Sequence, residues 1–246
     1  MNDDLEGEAP SRTGNTVPGP DVAAMFDEIA PVYDRMNTLM TLGLDGGWRR
    51  AAVAAAGLGP GDAVIDVACG TGKLAEALAE RVGPFGRVLA VDLAPGMIAE
   101  ATAHHRDLVQ LEFTLGDALA LPVGDASFDA ATIAFGLRNL TDFAAGFREL
   151  ARVVRPGGRV VCLELSVPRP HAWGRIFQAT FRRSAPVLGS MFNRGGAYRY
   201  LPASLDGFPT PDELVRTMLG AGLTDVVYRS FGLGSVALHQ GRVPNA

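Results

Sequence analysis

The stretch Ala63-Val64-Ile65-Asp66-Val67-Ala68-Cys69-Gly70-Thr71-Gly72 decides the fold. A short apolar run carrying one acid predicts a strand covered on both faces over residues 63–68. The glycine-rich turn over 69–72 then feeds a helix over 73–82. A strand, glycine turn and helix start together form a place where backbone N–H groups can approach a ligand closely. The turn is not the dinucleotide fingerprint, since Ala68 stands where its first glycine belongs and Gly70 and Gly72 are too close together. No Gly-Lys-Ser/Thr follows, so a phosphate-cradling loop is rejected as well.

Outward from this unit the pattern repeats. Further strands are predicted over 87–92, 111–115, 128–134 and 159–165, separated by helices over 95–105 and 144–154, the second ended by Arg155-Pro156-Gly157-Gly158. Strands alternating with helices predict an α/β, doubly wound, mostly parallel sheet of Rossmann-like form, with ligands at the carboxyl ends of the strands.

Upstream, Val22, Met25, Phe26, Ile29, Val32, Tyr33 and Met36 recur at helical spacing. Pro31 predicts a break there and a second helix starting on it, and another helix is expected over 47–56. Downstream, residues 166–210 are irregular and rich in Arg, Phe, Tyr, Gly and Pro, which predicts a helical cap inserted before the sheet finishes. A helix over 211–222 follows, N-capped by Thr210 and ended by Gly222; closing antiparallel strands are expected over 224–228 and 235–239. The organisation is a disordered leader over 1–20 and a single domain over 21–246.

The net charge of −5 argues against affinity built on neutralising nucleic-acid phosphates. Cys69 and Cys162 are the two cysteines, in apolar contexts, and read as reduced, cytoplasmic usage. His104, His105, His171 and His239 show no ligand spacing with them, so no metal is expected. The acidic N-terminus lacks the form of a signal peptide, and no apolar run reaches the length of a spanning helix. A soluble protein, touching a membrane at most from the side, is expected.

Two further acids extend the site. Asp92 ends the next strand, roughly 25 residues after Asp66, where a carboxylate accepts from ribose hydroxyls. Asp117 follows Gly116 at the end of the third strand, where it can accept from an adenine amine. One such acid is an ordinary strand terminator. Three of them in register with a glycine turn suit an adenosine carrying a cation better than one carrying a pyrophosphate, and that ligand is S-adenosylmethionine.

At this point the sequence resembles the ubiquinone/menaquinone biosynthesis C-methyltransferases, and within them the demethylmenaquinone methyltransferases. The likeness runs from Val22 to Gly241. It includes MFDEIAPVYDRMN (25–37), the turn DVACGTG (66–72), GDALALPVGDASFD (116–129), AFGLRNLTD (134–142), RVVRPGG (152–158), LELSVP (163–168), AYRYLPASL (197–205) and VALHQG (236–241). The glycine turn alone marks only a class I methyltransferase; AFGLRN with YRYLP and YDRMN is far more specific. The resemblance implies that Thr71, Asp92, Asp117 and Ala118 hold the methyl donor, with Asp66, Ala68, Gly70, Gly72, Leu93 and Ala134 around it. Three places depart from the family pattern: Ala134 replaces a usual serine, Asp45-Gly46-Gly47 replaces a segment that often carries histidine, and Ser230 to Gly234 replaces an Asn-Leu-Thr-Gly-Gly pattern.

C-methylation of a hydroxylated ring needs an electron-rich carbon in line with the donor's methyl, so proximity and charge placement dominate. Arg138 and Asn139, just past the fourth strand, are the candidate catalytic pair, with Arg138 facing a phenolate-like oxygen and Asn139 orienting it or its water. Arginine stays protonated, so Arg138 serves as an electrostatic partner and not as a base; alternatively it pairs with Asp142 or Glu149 and holds a loop. Tyr33, Tyr198 and Tyr200 can stack on a ring or donate to its oxygen, or can be buried tyrosines with satisfied hydroxyls. His239 reads as a sheet histidine rather than a base. Phe177, Phe181, Val187, Leu188, Met191 and Phe192 line a slot for a prenyl tail or pack the cap.

The expected partner is therefore a prenylated quinol, demethylmenaquinol before others, met by peripheral membrane contact. A related enzyme acting on a soluble small molecule and an inactive cofactor-binding module are the other readings, and a nicotinamide oxidoreductase lacks its fingerprint.

Overall fold

The computed structural model describes residues 12–41, 43–166, 200 and 204–245. Most of the cap over 166–210, with His171, Tyr198 and the apolar set from Phe177 to Phe192, lies outside the described residues, as do residues 1–11 and the side chain of Met36.

A seven-stranded sheet with strand order β3-β2-β1-β4-β5-β7-β6 forms the centre. Its strands are β1 (Ala63–Val67), β2 (Arg87–Asp92), β3 (Leu111–Leu115), β4 (Phe128–Ala134), β5 (Val154–Leu165), β6 (Thr224–Phe231) and β7 (Val236–Arg242). All neighbours are parallel except where β7 runs antiparallel between β5 and β6. The order reverses between β1 and β4, and this switch point opens a crevice at the strands' carboxyl ends.

The helices are α1 (Gly19–Met40), α2 (Asp45–Ala56), α3 (Lys73–Val82), α4 (Pro95–His104), α5 (Phe143–Val153) and α6 (Pro211–Gly220). The doubly wound arrangement follows from two buried clusters. Ile65, Val67, Ile133, Phe143, Phe147, Leu214 and Met218 pack on the α5/α6 face; Val64, Leu74, Leu78, Ala52, Val161 and Leu163 pack on the α2/α3 face. Central strands therefore bury both faces and read as continuous apolar runs, as β1 and β4 do. Asp142 caps α5 by accepting from the Ala145 N–H at 2.8 Å. Thr210 and Glu213 form a reciprocal capping box that starts α6 where the sequence predicts it.

Two expectations need correction. Pro31 does not divide the first helix: α1 is continuous from Gly19 to Met40 with Pro31 inside it, on the exposed side. The missing hydrogen bond is offset by packing around it, as Ile29 and Ala30 bury with Ala94 and Met97, Val32 and Tyr33 pack against the same cluster and Asp27 accepts from the Gly96 N–H at 2.6 Å. The leader does not extend to residue 20. Arg12 N–H donates to Gly207 O at 2.7 Å, Asn15 N–H to Leu140 O at 2.6 Å, and Phe143 N–H to Thr13 O at 2.8 Å, so residues 12–18 form a strap across the sheet's carboxyl end.

Candidate active site

The switch point is built by backbone. β1 is followed at once by Ala68 with φ 53° and β4 by Phe135 with φ 57°, both left-handed residues that peel the chain away from the sheet. Gly136 lies against Ala68, and a Cβ on it would collide with the Ala68 methyl. A cavity opens over these strand ends, closed above by α1. Of the residues singled out for the donor, Ala68, Gly70, Asp92, Leu93, Asp117, Ala118 and Ala134 line it, and Asn139 lines it too. Asp92 accepts from the Gly70 N–H at 2.8 Å on one oxygen and from the Ala94 N–H at 3.0 Å on the other. Burial raises its pKa, with those two N–H bonds opposing the rise. Asp117 accepts from the Leu119 N–H at 2.9 Å. Among the described lining residues there are two aspartates and no lysine or arginine.

Asp66, Thr71 and Gly72 are not among the lining residues. Asp66 is buried within β1, where one carboxylate oxygen accepts from the Thr132 hydroxyl at 2.6 Å and the other has no hydrogen-bond partner. Burial pushes its pKa up to about 7. The Thr71 hydroxyl donates to Asp34 at 2.7 Å, and Lys73 Nζ lies 3.6 Å from the same carboxylate, which ties the glycine turn to α1. Gly72, with φ 87°, starts α3 where a Cβ would press into the Phe113 ring.

Arg138 and Asn139 are neighbours on one 3₁₀ turn, Leu137–Asn139, yet they serve different cavities. Arg138 lines a second, smaller cavity bounded by α1, α2 and the ends of β5 and β7. Its guanidinium pairs with Glu164 of β5 at 2.7 Å, both side chains being almost wholly buried, and it also donates to Phe135 O. The partner is thus Glu164 and neither Asp142 nor Glu149; those two pair with Arg148 and Arg152. Burial works against the Arg138 charge, but the Glu164 carboxylate more than offsets it and its pKa is raised. Asn139 instead joins a side-chain network, in which the Tyr200 hydroxyl donates to Asn139 Oδ1 at 3.0 Å and Asn15 Nδ2 donates to that hydroxyl at 2.7 Å. Burial raises the Tyr200 pKa, with the Arg138 charge pulling the other way. Tyr33 and Phe135 line both cavities and form the wall between them. His239 stands apart: one ring nitrogen faces Pro211 O at 3.0 Å, the other has no partner, and burial lowers its pKa.

The sequence model of the ubiE/COQ5 methyltransferase family matches residues 15–243. The chain belongs to that family. Within it, a demethylmenaquinone methyltransferase of Thermus thermophilus is 44% identical over 89% of this chain and 100% of its own length. A ubiquinone/menaquinone biosynthesis C-methyltransferase of Geobacter sulfurreducens is 38% identical over 92% of this chain and 90% of its own. Among solved structures, a SAM-dependent methyltransferase from Aquifex aeolicus superposes with a TM-score of 0.59 at 18% identity, covering 79% of this chain and 89% of its own. The [4+2]-cyclase SpnF reaches 0.71 at 16% identity over 97% and 100%, a likeness of fold alone. As a member of the ubiE/COQ5 family the protein is a methyltransferase with the Rossmann-like fold of the SAM-dependent class.

Sequence reasoning missed Glu164, Arg49 and Asn15. Glu164 carried a signal, since a lone acid inside the apolar strand Val160 to Leu165 requires a buried cation. Arg49, which lines the second cavity, carried none, whereas Asp45, which lines it too, stands in the Asp45-Gly46-Gly47 segment already singled out as a departure from the family pattern. Asn15 lay in a segment that composition alone assigns to a leader.

Proposed function

We propose that the protein transfers a methyl group from S-adenosylmethionine to a ring carbon of a prenylated quinol, converting demethylmenaquinol to menaquinol. The match to the full length of a demethylmenaquinone methyltransferase at 44% identity carries this conclusion. The first cavity suits the donor, because acidic acceptors at two strand ends and no cation among the described lining residues favour a cationic adenosine over a phosphorylated one. When bound, that group supplies an electrophilic methyl carbon.

The remaining chemistry belongs to this chain. Asp92 accepts from the ribose hydroxyls while its other contacts fix its carboxylate plane, and Asp117 serves the adenine amine. Arg138 keeps a permanent positive charge at the second cavity, held in place by Glu164, and stabilises negative charge on the acceptor's ring oxygen. Asn139 has its amide oxygen engaged by Tyr200, which leaves its N–H groups to orient the acceptor or its water. Tyr200 acts through Asn139 as a positioning residue. The segment 166–210 serves as the acceptor's cap. No helix among the described residues is long and apolar enough to cross a membrane, so a cytoplasmic protein meets the prenylated acceptor by peripheral contact with the membrane's inner face.

The test is to incubate purified protein with methyl-labelled S-adenosylmethionine and either a reduced prenyl naphthoquinol or an extract of soluble metabolites. Label on the naphthoquinol ring is expected. Label on soluble metabolites alone would replace the quinol with a soluble acceptor, and donor binding without transfer would indicate an inactive binding module.

A further inference from the structure

The second cavity holds a set of polar groups that the methyl-transfer scheme does not use. Asp45 lines it and is only 6% exposed. Among the described residues, the Thr41 hydroxyl is the donor within hydrogen-bond distance of its carboxylate, at 3.2 Å. That hydroxyl has one hydrogen and lies closer to Asn37 O, at 2.8 Å, so the carboxylate is left with unfilled accepting capacity. Arg49 Nε stands 3.6 Å from the other carboxylate oxygen, an ion pair too long to be a hydrogen bond. Among the described residues neither this Nε–H nor that of Arg138 has a hydrogen-bond partner, but both nitrogens are shielded from contact with anything in the cavity. The walls are flat and apolar, with Trp48 tilted against Phe135 at 6.5 Å between centroids and the Arg49 guanidinium 5.5 Å over the Phe135 ring.

A buried carboxylate with unfilled accepting capacity is costly, so the cavity favours a ligand that donates a hydrogen to it. A hydroxyl oxygen does this, giving its hydrogen to the carboxylate. A carbonyl or ether oxygen only accepts, and an ionised carboxylate has no hydrogen to give it. We propose that this cavity receives the hydroxylated ring of the acceptor and that Asp45 is its specificity-determining residue, admitting the reduced quinol and rejecting the oxidised quinone. The inference rests on the quinol reading above. Asp45 thereby protects the reaction at the binding step, because only the quinol has the electron-rich carbon that methylation needs. The selection combines attraction for one redox form with an unpaired carboxylate facing the other.

Titration calorimetry of the full chain tests this with three ring probes: 1,4-naphthalenediol kept reduced under nitrogen, 1,4-naphthoquinone and 1,4-dimethoxynaphthalene. The wild type should bind the diol at least tenfold more tightly than either other probe. Asp45→Asn, whose amide can face a carbonyl as well as a hydroxyl, should reduce that ratio to threefold or less while S-adenosylmethionine affinity stays within twofold; Asp45→Ser, smaller and neutral, serves if the amide variant fails to fold. Equal binding of diol and quinone by the wild type, or an unchanged ratio in the variants, would overturn the role of Asp45. If S-adenosylmethionine binds but neither the diol nor a prenylated naphthoquinol binds or is methylated, the quinol function falls first and the inference falls with it.

Discussion

The two cavities on either side of the Tyr33–Phe135 wall are built by opposite means. The first is shaped by backbone at strand ends: Gly70, Asp92, Gly116 and Asp117 stand at or just past the ends of β1, β2 and β3, and the chain's turns set the geometry. The second is shaped by side chains from α1, α2, β5 and β7, elements far apart in sequence, held by the Arg138–Glu164 and Arg49–Asp45 pairs. A ligand held at strand ends can be gripped by backbone geometry that the fold itself supplies, whereas a cavity lined by side chains can change its ligand by exchanges that leave the sheet undisturbed.

If that division holds, damage to the second cavity's frame should leave the first intact. Glu164→Ala strands the Arg138 charge in a buried site, and chemical denaturation should show a loss of about 3–5 kcal/mol. Whatever folded protein remains should still bind S-adenosylmethionine normally; a parallel loss of donor affinity would mean the two sites are one mechanical unit.

Asp66 probes the floor of the first cavity. In the folded chain burial pushes its pKa up to about 7 from the 3.8 of an ordinary aspartate, so it keeps its proton where the unfolded chain releases one. The stability this confers is full below about pH 4 and is lost as pH rises through 7. Asp66→Asn does not titrate; the stability of the wild type relative to this variant should therefore fall by up to about 4 kcal/mol between pH 4 and pH 8, read by denaturant midpoints at each pH.

Asp92→Asn removes charge from the rim without changing shape. Donor binding should weaken roughly tenfold to a hundredfold, as expected for a lost charged hydrogen bond of about 1.5–3 kcal/mol, with the acceptor probes unaffected. The smallest effect should come from beside the shared wall: Gly136→Ala presses a methyl onto Ala68 and should cost about 1–3 kcal/mol of stability with some loss of donor affinity and unchanged binding of the ring probes, since Gly136 lines the first cavity and not the second.

The same contrast explains what was legible in the sequence. β1 to β4, the glycine turn and the acids at 66, 92 and 117 are local signals, each strand announced by its own apolar run. The continuous α1 was not legible, because Pro31 is a local breaker and the packing of Ile29 and Ala30 on α4 that overrides it is a tertiary fact. Nor was it legible that Asp66 faces Thr132 rather than the cavity, since alternation along a buried strand gives no sign of which face holds the ligand. Arg138 drew notice in the sequence, but its partner Glu164 lies on another strand, and sequence proximity pointed instead to Asp142 and Glu149.

The left-handed ends of β1 and β4 carry a consequence for engineering. Ala68 and Phe135 hold conformations that cost an L-residue about 1–2 kcal/mol each, and glycine at either position would relieve that cost. A search for heat-resistant variants would therefore be drawn to these two positions, and a screen that scored only survival of the fold would select changes that erode the wall between donor and acceptor.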